Sequence, residues 1–228
     1  MYEKLCVSIG GNRLKDFEEK ALQSEARLVE LRLDTFPKLQ KEMGAVRILV
    51  QSLSSQMDII LTVKSKNEKG FFEGSEANRV AVLKKLASCC PNYIDIELES
   101  HSVKEIIEIC TRVGVKTVVS KHDFSKTPSL RRLTSYVEKA IDFGASIVKI
   151  VTYAKSHEDN LVMLKLDSVF QGRTVGFCMG EIGVPSRILA PFFGSPFTYA
   201  SFEKESLAPG QLSAKDVMKI WSMMGILQ

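Results

Sequence analysis

Short β-rich runs alternate with longer amphipathic ones from one end of this chain to the other, and that alternation limits the folds open to it more than any other feature. The strand-like runs fall at residues 5–9, 28–33, 59–63, 93–98, 117–120, 147–151, 174–178 and 197–200. Between them lie helix-like stretches such as 75–87, 103–113, 129–143 and 213–224. Several of these open on Ser, as at Ser75 and Ser129, and close on Gly, as at Gly114, Gly144 and Gly225, which is the polarity that helix caps require. Strands alternating with helices imply a parallel sheet. Eight βα units with no ninth strand predict a closed single-domain (β/α)8 TIM barrel over residues 1–228, with an open doubly wound sheet as the alternative.

Composition sets the surroundings of such a fold. With 228 residues, 45% of them apolar, the chain can bury a core for one domain. No apolar run reaches the roughly 20 residues of a membrane helix, and the apolar start near Leu5 is too short for a signal sequence; a cytoplasmic protein with no membrane partner is expected. The cysteines, Cys6, Cys89, Cys90, Cys110 and Cys178, show no CxxC and no histidine at ligand spacing, so neither a disulfide framework nor a metal site is signalled. The net charge of +4 comes from scattered lysines and arginines, without basic residues interleaved with aromatic ones. A small anionic substrate fits this better than nucleic acid.

In a barrel of this kind the chemistry sits at the carboxyl ends of the strands. The second run, Val29-Glu30-Leu31-Arg32-Leu33, alternates so that Glu30 and Arg32 share the face opposite the leucines. If the leucines meet the helices, two charges point into the barrel, either as a structural pair or as ligand contacts. Asp95 and Glu97 repeat the pattern on the fourth run. The sixth run, Ile147-Val148-Lys149-Ile150-Val151, holds one lysine in a β-branched strand. Burial and nearby cations favour the neutral, nucleophilic form of an amine; the competing reading pairs this lysine with an inward carboxylate such as Glu97. At the end of the adjacent fifth run, Ser120-Lys121-His122-Asp123-Phe124 brings an imidazole beside that amine, as a proton-shuttling imine mechanism needs. His101 and His157 lie at helix starts among polar residues and read as surface groups.

Glu30-Leu31-Arg32-Leu33-Asp34, Ser120-Lys121-His122-Asp123-Phe124, Val148-Lys149-Ile150, Met179-Gly180 with Ser186-Arg187, and Ala208-Pro209-Gly210-Gln211 occur in this order along nearly the whole chain. Together they resemble type I 3-dehydroquinate dehydratase of the shikimate pathway of aromatic amino-acid biosynthesis. The resemblance implies a lysine Schiff-base mechanism with no metal and no organic cofactor: Lys149 as imine former, His122 as general base and acid, and Glu68 orienting the histidine. It implies Arg187 on the substrate carboxylate, Gln211 at the same end, Glu30 and Arg32 on the hydroxyl groups, Met179 lining the pocket, and a homodimer. Three positions depart from the family pattern: Lys64 stands where an arginine is usual, Leu207 where serine is frequent, and Glu68-Lys69-Gly70 where the family has Glu-Gly-Gly. Lys64 would meet the substrate as a point charge rather than a fork. The polar loop 201–213, with its Pro-Gly pair, is expected to act as a lid that delivers Gln211 on closure. A class I aldolase would share the lysine but not the His122 or Pro209-Gly210-Gln211 segments; a catalytically silent polyol-acid binder is the reading from a different class.

Overall fold

The computed structural model describes residues 2–203 and 205–225. Eight parallel strands run in the order β7-β6-β5-β4-β3-β2-β1-β8, so β2 to β6 each lie between their sequence neighbours and β1 lies between β2 and β8. They are β1 Leu5–Ile9, β2 Leu28–Arg32, β3 Asp58–Thr62, β4 Tyr93–Glu97, β5 Lys116–His122, β6 Ile147–Tyr153, β7 Thr174–Met179 and β8 Thr198–Ser201. Eight α-helices follow them: α1 Leu14–Gln23, α2 Met43–Ser54, α3 Glu76–Ala87, α4 Val103–Arg112, α5 Leu130–Asp142, α6 Glu158–Val169, α7 Val184–Leu189 and α8 Ala214–Met223. The result is a nearly closed (β/α)8 barrel, and the open doubly wound sheet is excluded because the last strand pairs with the first, β8 with β1.

The helices begin and end for local reasons. Ser75 Oγ accepts from the Asn78 N–H at 3.2 Å and Ser213 Oγ from the Asp216 N–H at 3.1 Å, each supplying a partner to a first-turn donor. Ser129 makes no such bond. Gly144, just past α5, sits at φ +96°, where a Cβ would be strained. On α4, Val103, Ile106, Ile107 and Cys110 are buried, the i, i+3, i+4, i+7 stripe that seats a helix on a sheet.

Alternation along the strands builds the two layers of the core. Outward residues such as Val7, Val29, Leu31, Ile59, Leu61 and Val119 join the helix-facing core. Inward residues form a separate plug of Cys6, Leu28, Ile60, Val118, Ile147 and Val175. Two positions further along six of the strands the interior turns polar, at Ser8, Glu30, Thr62, Asp95, Ser120 and Lys149, all buried. Registers pair Ser8 with Glu30, Thr62 with Asp95 and Ser120 with Lys149. Burying such groups costs several kcal/mol each unless they are hydrogen-bonded (roughly 2–7 kcal/mol by the transfer scales), so this level of the barrel exists to be satisfied by its own members or by a ligand.

Candidate active site

Above the apolar plug opens a pocket of about 740 Å³, counted out to bulk solvent, which brings together Glu30, Arg32, Lys64, Glu68, His122, Lys149, Met179, Arg187 and Gln211. Every site residue expected from the sequence reaches this one cavity, whose size suits a compact organic acid. Their partners differ in part from expectation.

Lys149 is 5% exposed. Its Nζ donates to Glu30 Oε1 at 3.2 Å and lies 4.0 Å from Asp95 Oδ2, so the carboxylates facing it are these two. Glu97, the partner weighed from the sequence, instead accepts from the backbone N–H and hydroxyl of Ser65, both at 2.8 Å, and faces Arg79 at 3.3 Å. Arg32 likewise does not pair with Glu30: its Nε and Nη2 bind Asp34 at 2.9 and 2.8 Å, because Asp34 lies just past the strand end, where the chain turns back over the guanidinium. Glu30 accepts from Ser8 Oγ at 2.6 Å and Thr62 Oγ1 at 3.0 Å as well as from Lys149. Burial opposes its ionisation, but Lys149 and Arg32, with the Ser8 hydroxyl, outweigh that and hold its carboxyl down at about 2.

On the other wall, Glu68 Oε2 accepts from His122 Nδ1 at 2.9 Å, and Glu68 Oε1 from the His122 backbone N–H at 3.2 Å. This bond leaves Nε2 as the ring nitrogen for the pocket. Burial pushes His122 below its ordinary value of 6.5; Glu68 opposes the shift, while Lys64 and Lys149 reinforce it. Glu68 is held well below the carboxylate range, since Lys64 and His122 overcome its burial. Lys64, 4% exposed, reaches the pocket wall, but its Nζ donates to Glu68 Oε2, Asp95 Oδ1 and Ser120 Oγ at 3.0, 2.9 and 2.6 Å. In the protein by itself, all three of these partners belong to the barrel and its loops.

Arg187, on α7, is 1% exposed, with Nε and Nη2 lacking any partner. Its Nη1 donates weakly to the Tyr199 carbonyl at 3.5 Å, and the guanidinium lies 4.2 Å from the Phe177 ring centroid. Burial lowers it to about 10. Gln211 gives its side-chain carbonyl to the Leu207 N–H at 3.0 Å, leaving its amide donors toward the cavity. The loop carrying it rests on the β7 end: the Gly180 N–H donates to the Pro209 carbonyl at 3.2 Å, and a Cβ on Gly210 would come within 2.4 Å of Gly180 O. Lys204, part of the proposed lid, lies outside the described residues.

Sequence reasoning passed over Tyr199, whose ring centroid is 3.8 Å from Lys149 Nζ and whose hydroxyl is buried without a partner. Its inward position was available from the alternation of Phe197 and Tyr199 on the last strand. It also passed over the stack at the mouth, where Phe124 lies parallel to His122 at 5.7 Å and Lys69 Nζ sits 4.3 Å over Phe124. Among the described residues there is no group of three or more His, Cys, Asp or Glu side chains that could hold a metal, and no helix long and apolar enough to cross a membrane.

A buried amine, a carboxylate-held imidazole and an unpaired guanidinium in the mouth of a parallel barrel define a (β/α)8 enzyme acting on small acids. The chain belongs to the type I 3-dehydroquinase family, which matches it over residues 5–228. It is 34% identical to 3-dehydroquinate dehydratase of Methanocaldococcus jannaschii over 97% of this chain and 99% of that protein. With the enzyme of Pyrobaculum aerophilum it shares 39% identity over 92% of this chain and 67% of that one. The 3-dehydroquinate dehydratase of Aquifex aeolicus superposes with a TM-score of 0.83 at 28% identity, covering 98% of this chain and 99% of that one. A type I enzyme of Clostridium difficile, bearing covalently modified comenic acid, gives 0.86 at 25% identity over 97% and 92%.

Proposed function

We propose that this chain, as one catalytic domain, dehydrates 3-dehydroquinate to 3-dehydroshikimate in the shikimate pathway through a Schiff base on Lys149. One observation carries the reading: the Lys149 amine and the Glu68-held His122 face the same pocket, whose only guanidinium without a carboxylate partner among the described residues is Arg187. Arg32 has Asp34, and Lys64 and Lys149 have Glu68, Asp95 and Glu30, so a ligand carboxylate completes the pairing at Arg187. Gln211 reaches the same end, Glu30 and Arg32 the hydroxyl groups, and Met179 lines the wall.

The chemistry follows from these placements. The Lys149 ammonium passes a proton to His122, the freed amine adds to the substrate's C3 carbonyl, and His122 returns the proton as the adduct loses water, leaving an iminium, a better electron sink than a ketone. His122 takes the proton from C2, and the electron pair moves into an enamine. Return of that pair expels the C1 hydroxyl, which departs as water with the proton His122 now carries. Hydrolysis of the conjugated iminium frees the amine, so the cycle removes one water in total. Glu68 stays ionised throughout and steadies the imidazolium. Family membership disfavours carbon–carbon cleavage by an aldolase. A cytoplasmic homodimer belongs to the same proposal; exposed Phe193, Met223 and Met224 offer apolar surface for it.

Borohydride added with 3-dehydroquinate is expected to inactivate the protein and leave one adduct per chain on Lys149, read by peptide mass; labelling of Lys64 or Lys121 instead sinks the assignment. Because burial lowers His122 below 6.5, the base remains neutral to lower pH. The acid limb of kcat/KM is therefore expected below the ordinary imidazole value of ~6.5, and a limb above it in a pH–rate profile would exclude His122 as the base.

A further inference from the structure

Lys64 carries a fixed number of donors, and the structure accounts for all of them. An ammonium group has three N–H bonds; here they run to Glu68 Oε2 at 3.0 Å, Asp95 Oδ1 at 2.9 Å and Ser120 Oγ at 2.6 Å. Ser120 Oγ itself donates to Asp95 Oδ1 at 2.8 Å, so the three partners and the lysine form a closed cluster bridging β4, β5 and the end of β3. The oxygen of Glu68 that Lys64 holds is the same one that takes His122 Nδ1. The Glu68 backbone is held through Ser65, but without that lysine its carboxylate would be tied to the barrel only through the histidine it is meant to orient.

We propose that Lys64 is a positioning residue for the reaction: it anchors Glu68 to the barrel wall, thereby fixes the ring and tautomer of His122, and takes no direct hold on substrate. This rests on the reading of His122 as the base. It separates this chain from the arginine pattern of the family, because an arginine has five donors in a fork and would keep some for a ligand. The compact ammonium has none left over. Around His122 the charged groups are Glu68 from the β3–α3 loop, Lys64 from the β3 end and Lys149 on β6, with Lys69 beyond the Phe124 ring; on β4, Asp95 is bound to Lys64 and Glu97 to Ser65. Of these, Lys64 alone binds the carboxylate that binds the imidazole, and its charge pushes the imidazole toward the neutral state.

The test uses the intact protein with Lys64→Met and Lys64→Arg. In Lys64→Met, kcat is expected to fall about 10- to 100-fold, part of what a well-placed general base contributes, while KM stays within about threefold. The His122 titration, followed by nitrogen NMR in ligand-free protein, moves to higher pH because a neighbouring cation is gone, and the acid limb of kcat/KM moves with it. Lys64→Arg restores the charge and is expected to keep the titration near that of the unaltered protein. A KM raised about tenfold or more, with kcat and the NMR titration unmoved, would show direct substrate binding and overturn the proposal. Should Lys64→Met not fold, Lys64→Gln gives the same readings with a side chain that still donates. Failure of the underlying reading shows separately, as His122→Gln with near-normal turnover, whereas the ligand-free titration reports on Lys64 in either case.

Discussion

Lys149→Met is expected to lower kcat by about 10⁴- to 10⁶-fold, the scale on which loss of the nucleophile costs a site whose groups act together, and to abolish borohydride trapping. The same change acts on folding. Lys149 is the ion-pair partner of Glu30 at 3.2 Å and stands 4.0 Å from Asp95, so its removal leaves buried carboxylates short of a cation, a loss of about 3–5 kcal/mol when nothing compensates. Asp95 keeps Lys64 and Glu30 keeps two hydroxyls, which places the expectation at the lower end. The sign with pH can be worked out. In the unaltered protein Glu30 is held at about 2 against an ordinary 4.5, so it contributes stability that is present above the ordinary value and lost as pH falls toward the depressed one. Without Lys149 the strongest opposition to burial disappears and the carboxyl titrates higher. The gap in Tm between the two proteins should therefore be widest near ~pH 7 and narrow toward ~pH 4; a constant gap in thermal melts across that range would show that packing, not charge, is what the lysine supplies.

Arg187→Met should do the opposite to stability while still costing function heavily. The guanidinium is buried with Nε and Nη2 unsatisfied, a state that burdens the ligand-free fold and is relieved only when an anion arrives. Methionine keeps a flexible apolar stem against Phe177 and gives up only a 3.5 Å contact to the Tyr199 carbonyl. Removing one partner of a buried charged pair typically costs about 2–5 kcal/mol, so kcat/KM is expected to fall by about 10³-fold, mostly through KM, with Tm unchanged or raised. Steady-state kinetics and calorimetry on one preparation read both. A Tm lowered by more than about 5 °C would mark Arg187 as a structural member of the barrel instead.

The barrel was legible in the sequence because its period is short and its punctuation plain: eight alternating runs, separated by capped helices, admit few topologies. Strand ends were less so. β5 and β6 continue to His122 and Tyr153, past the apolar runs that end at residues 120 and 151, since ladder bonding carries on through polar residues that propensity discounts. The face is legible for Glu30, Asp95 and Lys149, which meet inside the barrel. Partner choice is not. Which of several inward acids meets a given cation depends on barrel stagger and on where the loop after a strand turns back. Sequence spacing records neither, so the pairings it offers as alternatives, Arg32 with Glu30 and Lys149 with Glu97, are not the ones that form: Arg32 meets Asp34 and Lys149 meets Glu30. Tyr199 escaped notice because an aromatic on a short apolar strand looks like any core residue until a lysine is found against its face.

The strand order has two ends, β7 and β8, and no ladder joins them among the described residues. What bridges them is α7. Ser186 Oγ accepts from the Cys178 N–H on β7 at 3.0 Å, the Thr198 hydroxyl on β8 donates to the Arg187 carbonyl at 2.6 Å, and the Arg187 guanidinium spans from the Phe177 ring to the Tyr199 carbonyl. The cylinder is in effect a strip wrapped round and clasped, and the clasp is the helix that carries the anion-seeking side chain. A carboxylate that grips Arg187 while Lys149 on β6 holds the other end of the same molecule is tied to both sides of that opening. On the proposed reading, catalysis and closure of the barrel share a fastening, and the protein would be most completely a ring while it is working.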